Sequence, residues 1–249
     1  MQGEYITDDA WIKMLIFFET HPKIYKCFEL RLRRFVSGVY WIMKTGAQWR
    51  LLPSEFGKWN SVFRRFRRWV NLGIWKDLMT FCIEDPDLEY VMIDSTIVRA
   101  HACAAGRGFQ PAQGLGRSKG GFTSKIHAKV DALGNPLQFI VTPGQESDHT
   151  QARHLLGSTT NSYVLCDKGY DSDSFRYKVI KQHNIPVIPG RKNRKMTIDY
   201  DKHIYKERSS IECFFSKIKH FRRVFSRYDK DVCSFVSFLY FVGAIIWLR

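Results

Sequence analysis

Three carboxylates stand where hard-cation chemistry would need them. The runs Tyr90-Val-Met-Ile-Asp94 and Tyr163-Val-Leu-Cys-Asp167 are apolar and each ends in an aspartate. Divalent cations such as Mg²⁺ take carboxylate oxygens, and phosphoryl transfer on two such ions needs several carboxylates around them. Glu212 is the third candidate. It lies in a stretch of helical spacing where Tyr205, Arg208, Glu212 and Lys219 share one stripe, while Ile211, Phe214, Phe215 and Ile218 take the other faces. On that stripe Glu212 can complete a metal-ligand set, and Arg208, Lys219 and the Tyr205 hydroxyl can hold phosphate oxygens beside it. A plainer reading stays open: each aspartate caps a strand-end turn, and Arg208–Glu212 is an ordinary i, i+4 ion pair. Cys166 and Cys213 adjoin two of the acids. No histidine is placed by sequence to activate either thiol, so buried packing is their expected role.

The elements that must carry these residues are legible in the periodicity. Tyr90–Asp94, Thr123–Val130, Leu137–Val141 and Tyr163–Asp167 read as strands, with Gly134-Asn135-Pro136 as a hairpin turn between the second and third. Residues 174–183 read as a helix, 185–190 as a short edge strand, and a long helix is expected from about His203 to beyond Lys219. Strands alternating with helices in this way give an α/β domain on a mixed sheet. Residues 1–85 read instead as short helices, with apolar residues at Trp11, Met14, Leu15 and Phe18 and again at Val36, Val39, Tyr40 and Met43. In the helix around Ser61–Val70, one face holds Val62, Phe63, Phe66, Trp69 and Val70. The opposite face is Arg64, Arg65, Arg67 and Arg68. Several arginines on one side neutralise several phosphates together, which suits the last helix of a helix-turn-helix-like module; a solvated cationic face is the bland alternative.

Charge points to the same class of partner. The 249 residues carry 39 Lys+Arg against 24 Asp+Glu, a net charge of +15. Between Ser95 and Val130 no acid occurs, while Arg99, Arg107, Arg117, Lys119, Lys125 and Lys129 do, among glycines that suit a phosphate backbone. No G-x-x-x-x-G-K-[ST] cradle is present, so a nucleotide cofactor is not expected. With 45% hydrophobic residues the chain can bury a core, which excludes a disordered basic tail. Six scattered cysteines without a C-x-x-C pair suit neither a disulfide framework nor structural zinc. The 17 uncharged residues from Val232 to Leu248 fit a buried core helix better than a membrane span. An intracellular protein is expected, since the N-terminus has no apolar leader.

The signature Tyr205-x-x-Arg208-x-x-x-Glu212-x-x-x-x-x-x-Lys219 resembles that of bacterial DDE transposases of the insertion-sequence family-five group. So do Ile93-Asp94-Ser95-Thr96, the stretch from Gly116 to His127, Thr142–Asp148, Asp167-Lys-Gly-Tyr-Asp171, and Thr45–Pro53 with the Arg-rich helix after it. The likeness runs along essentially the whole chain. It implies a ribonuclease-H-like catalytic domain at 86–249 behind a small all-helical DNA-binding domain at 1–85. By position it makes Asp94, Asp167 and Glu212 the catalytic, metal-binding triad for two Mg²⁺, with Mn²⁺ as substitute. It sets Tyr205, Arg208 and Lys219 on the transposon-end DNA; Arg64, Arg65, Arg67, Arg68 and Lys125 are the further expected DNA contacts. The implied activity is cleavage at the terminal inverted repeats of an insertion sequence and joining of the 3′-hydroxyl ends to target DNA. A homodimer or larger assembly on double-stranded DNA, within the bacterial cytoplasm and nucleoid, goes with it. A catalytically silent DNA-binding regulator is the alternative, and a stand-alone nuclease of the same fold a third reading.

Overall fold

In the computed structural model, residues 6–25, 28–106, 111–118 and 121–249 are described. Cys27 and, from the acid-free loop, Arg107, Gly108, Lys119 and Gly120 lie outside them. Thr7 starts the first helix, α1 (Asp8–Thr20), by accepting the Ala10 N–H at 3.3 Å, and Asp8 and Asp9 in its first turn complement the helix dipole. Helix α2 (Glu29–Thr45) stops at Gly46, whose φ of 68° is left-handed; α3 (Trp59–Leu72) stops likewise at Gly73 before α4 (Ile74–Cys82). The apolar face expected of α3 is the face that is buried: Val62, Phe66, Trp69 and Val70.

The second texture begins at β1 (Tyr90–Ala100). After β2 (Gly116–Ser118), β3 (Gly121–Val130) runs antiparallel to β1, and β4 (Pro136–Pro143) antiparallel to β3 across the expected hairpin. Helix α5 (Asp148–Leu156), which periodicity did not reveal, leads to β5 (Tyr163–Leu165). Strand β5 pairs with β1 in parallel, and β6 (Ile185–Val187), reached through α6 (Asp173–Lys181), pairs with β5 in parallel at the sheet's edge. This is the mixed sheet of a ribonuclease-H-like fold. Val91, Met92 and Ile93 are all buried because both faces of β1 are covered. Ala152, Leu155 and Leu156 of α5 and Phe175 and Val179 of α6 share one core with Ile93, Val164, Cys166 and Ile188. Ile140 leans on that core, so its neighbour Phe139 points to the opposite face, where it stacks at 5.9 Å on Phe214 of α7 (Ser209–Lys219).

Two sequence expectations need correcting here. The single helix from His203 onward is a 3-10 turn over Ile204–Arg208 followed by α7. Asp201 sets the turn by accepting the N–H groups of His203 and Ile204 at 2.7 and 3.0 Å. The second correction concerns the division of the chain. One compact unit is 85–100 with 105–217; the other joins the N-terminal helices to 101–104 and to 218–249. The last 32 residues therefore group with the helices rather than with the sheet. After α8 (Arg222–Phe225), helix α9 (Val232–Trp247) is apolar nearly all round and must be buried on several sides. Its Phe238 stacks on Phe66 at 4.7 Å, and its Phe241 lies 4.8 Å from Trp75. Among the described residues no helix is long and apolar enough to cross a membrane.

Candidate active site

The parallel register sets the first two carboxylates side by side. The β1–β5 ladder ends at the pair Met92–Leu165; two residues beyond it stand Asp94, which the sequence expected to end its strand but which lies midway along β1, and Asp167, just past the end of β5. Ser95 donates its N–H to Asp94 Oδ1 at 2.7 Å, and Arg208 Nη1 donates to Oδ2 at 2.8 Å. Burial pushes the Asp94 carboxyl up to about 6, helped by the charges of Asp167 and Asp148; the Ser95 N–H and Arg208 pull the other way without overcoming it. Asp167 starts the 3-10 turn Lys168–Tyr170, its Oδ1 accepting the Gly169 N–H at 2.8 Å. A Cβ at position 169 would sit 2.8 Å from that same oxygen and would displace it.

Glu212 stands in the first turn of α7 with its carboxylate largely exposed, and it takes the second arm of the Arg208 guanidinium. Tyr205 lies beside the same guanidinium, 5.8 Å from ring centre to Arg208 Cζ. Arg208 thus gathers Asp94, Glu212 and Tyr205, while Asp167 acts on Asp94 through its charge. The plainer readings are realised as well: Asp167 does cap a strand-end turn, and Arg208–Glu212 is an i, i+4 pair. Among the described residues no three His, Cys, Asp or Glu side chains close into a metal cage. The cation between the first and third carboxylates is the guanidinium. Lys219 ends α7 and groups with the other compact unit.

Several expected residues are placed otherwise. Lys125 is 8% exposed, within a run of β3 from Thr123 to Ala128 that is buried at every position; its ammonium donates to Glu146 O at 2.6 Å and to Asp148 Oδ1 at 2.9 Å. Asp148 also accepts the Ser95 hydroxyl at 2.6 Å, so a Lys125–Asp148–Ser95 chain braces the residue after Asp94. Sequence reading missed Asp148; its one local signal was its place beside Ser147 at the start of α5. Arg67 likewise turns inward, to Asp231 and Ser234 of the same compact unit, partners more than 160 positions away that no helical wheel can show. Arg65 lies over Phe35 and Trp69, at 4.5 and 5.3 Å. Arg64 and Arg68 are exposed, and with Lys23, Tyr25, Arg65 and Trp69 they line a cavity of about 370 Å³. Cys166 is buried as expected, and burial drives its thiol pKa up; Cys213 is exposed, because it sits beside Glu212 on the polar side of α7.

Residues 85–232 match the family described as Transposase DDE domain, and residues 6–79 match Putative transposase of IS4/5 family. The putative transposase for insertion sequence element IS6501 of Brucella ovis is 40% identical over 132 residues, 51% of this chain and 99% of that protein. The uncharacterized protein y4sN of Sinorhizobium fredii is 34% identical over 132 residues, 53% of this chain and 99% of that protein. The cryo-EM structure of a piggyBac transposase synaptic complex with hairpin DNA is similar over 78% of this chain at 13% identity, with a TM-score of 0.39. This chain spans 45% of that one.

Proposed function

The chain belongs to the DDE transposase family, matched over residues 85–232, and from that premise we propose that it binds the terminal inverted repeats of its insertion sequence, cuts at them and joins the freed 3′-hydroxyl ends to target DNA. The observation that carries the reading is the meeting of Asp94 and Glu212 on one cation, Arg208, with the charge of Asp167 felt at Asp94. Two acids that already share a cation are a donor set of the right chemistry for a divalent one. Asp94, Asp167 and Glu212 would hold two Mg²⁺, or Mn²⁺ in their stead. Bound there, such ions supply activation of the attacking oxygen and stabilisation of the leaving oxygen.

The chain's own groups do the rest. Asp94 is held in place by the Ser95 N–H, whose residue is itself tied to Asp148 and Lys125. Arg208, Tyr205 and Lys219 hold phosphate oxygens of the element's end, and the reaction is phosphoryl transfer by positioning and charge, without a covalent intermediate. Two ends must be brought together, so the acting form is a dimer or larger on double-stranded DNA. The deciding experiment incubates the protein and Mg²⁺ with supercoiled DNA carrying the element's ends. Cutting followed by joining is expected. Binding without cutting would make the chain a silent regulator, and cutting without joining a nuclease.

Phosphate contacts in the helical unit fall to Arg64 and Arg68. Each changed to Ala should weaken DNA binding across sequences and reduce the slope of log K against log salt by about 1. Lys125→Ala should leave the slope as it is, because that ammonium is already held by Glu146 and Asp148. Fluorescence anisotropy across a salt series checks all three.

A further inference from the structure

Asp171 has no part in the chemistry described so far, yet among the described residues its carboxylate is held by four donors. Its side chain is fully buried. Arg176 Nε donates to Oδ1 at 2.8 Å, and Arg194 donates to both oxygens, from Nε at 2.6 Å and Nη2 at 2.9 Å. The backbone N–H of Arg191 adds a fourth donor, to Oδ2 at 2.8 Å. Burial alone would raise this carboxyl; the hydrogen bonds from Arg194 and Arg176 outweigh it and hold the group down at about 2. It is an ionised hub at every physiological pH.

What the hub touches matters more than its strength. The Arg191 guanidinium reaches back to the Gly169 carbonyl at 2.8 Å, and the Gly169 N–H is the group that fixes Asp167 Oδ1. Asp171 itself closes the turn, its N–H donating to the Lys168 carbonyl at 3.3 Å. Arg176 extends the clamp to the end of β6 by donating to the Ile188 carbonyl at 2.5 Å. A closed path therefore runs from the Asp167 carboxylate through Gly169 and Arg191 to Asp171 and back along the turn. Tyr170 within the turn packs in the core; the other links of the path are polar, and they orient the turn after β5.

We propose that Asp171 is the positioning residue of the second catalytic carboxylate, latching the Asp167 turn to the segment that follows β6. The assignment of Asp167 as catalytic rests on the transposase reading; the latch does not. Without the charge, Asp171→Asn leaves two guanidinium groups facing a neutral amide in a buried site, and the turn loosens. A displacement of about 1 Å in a reacting group is worth about 100-fold in rate. Single-turnover cleavage by Asp171→Asn at saturating DNA is therefore expected to fall about 100-fold, with the Kd for end DNA within about twofold of wild type.

The readout that a merely stabilising role would not move is hydrogen exchange at the Gly169 amide, compared with a core truncation on another strand, Val130→Ala. Asp171→Asn should speed that exchange at least about tenfold, while Val130→Ala lowers the melting temperature and leaves both exchange and rate near wild type. Equal losses of rate in the two variants, or unchanged protection at Gly169, would overturn the proposal. Should Asp171→Asn fail to fold, Arg191→Ala keeps the buried cluster and cuts the side-chain links to the Lys168 and Gly169 carbonyls; the same faster exchange is then expected, and its absence overturns the latch. A wild-type protein that binds ends but does not cleave would sink the transposase reading alone, since Gly169 exchange still decides whether Asp171 orders the turn.

Discussion

Asp94→Asn is expected to lose DNA cleavage by at least about 10³-fold, roughly 4 kcal/mol of transition-state stabilisation, while binding element ends within about twofold of wild type. The asymmetry follows from what the substitution removes. Asparagine keeps the volume and can still accept the Ser95 N–H, so β1 keeps its shape there. What disappears is the charge between Arg208 and the place where the metal ligands must meet. The same change should make the protein more stable. Burial raises the Asp94 carboxyl from its ordinary 3.8 to about 6, so between those values the folded chain binds more protons than the unfolded one, and stability falls as pH rises through that window. Above pH 6 the ionised group costs at most roughly 3 kcal/mol. In EDTA, Asp94→Asn should therefore melt higher than wild type at pH 7, and the two should converge below pH 4. Calorimetry at both pH values, beside a cleavage assay, reads the two effects. A variant that cuts at the wild-type rate would remove Asp94 from the chemistry.

Much of this was readable in the chain alone, and the unread parts share a cause. Asp94 and Asp167 stood out as the first polar residues after apolar runs; Asp167 does follow the end of β5, whereas β1 runs on past Asp94 to Ala100 because its pairing with β3 continues there, which no apolar run announces. The buried face of α3 followed from helical spacing, which depends only on near neighbours in sequence. Arg67 belongs to the same wheel as Arg64 and Arg68, but its fate is decided by Asp231, which caps α9 more than 160 positions away. Lys125 was misjudged for a related reason: a lysine in an acid-free stretch reads as surface until the fold brings Asp148 over it. The apolar character of α9 announced burial without naming the partner, so the last helix was assigned to the neighbouring sheet and belongs with Phe66 and Trp75. Tyr205 and Arg208 were placed on a helix that begins only after them, because the aspartate that winds the preceding turn leaves no trace in the apolar period. Local order was legible; pairings of polar groups across long separations were not.

Arg208→Ala carries the second large effect, and its sign depends on what else is in solution. The guanidinium is the cation that Asp94 and Glu212 share, and its side chain is only 18% exposed, as is that of Asp94. Removing it leaves the half-buried Asp94 carboxylate without its cation, under the charges of Asp167 and Asp148. The pair is neither fully buried nor on the surface, so the loss in EDTA should fall between those limits, about 2 kcal/mol. In a chain of this length that lowers Tm by about 4–8 °C. Millimolar Mn²⁺ should return most of the lost stability to Arg208→Ala and much less to wild type, because a divalent ion can take the place the guanidinium left. Cleavage should nonetheless fall about 100-fold, since the group meant to hold a phosphate oxygen is gone. Arg208→Lys separates charge from shape: the ammonium keeps the neutralisation but lacks the planar, two-armed fork by which the guanidinium reaches Asp94 and Glu212 from separate nitrogens. Its stability in EDTA should lie near wild type and its cleavage rate near that of the alanine variant. A melting temperature unchanged in Arg208→Ala without metal would mean that the two acids do not depend on this cation, and with it would go the observation on which the metal-site reading stands.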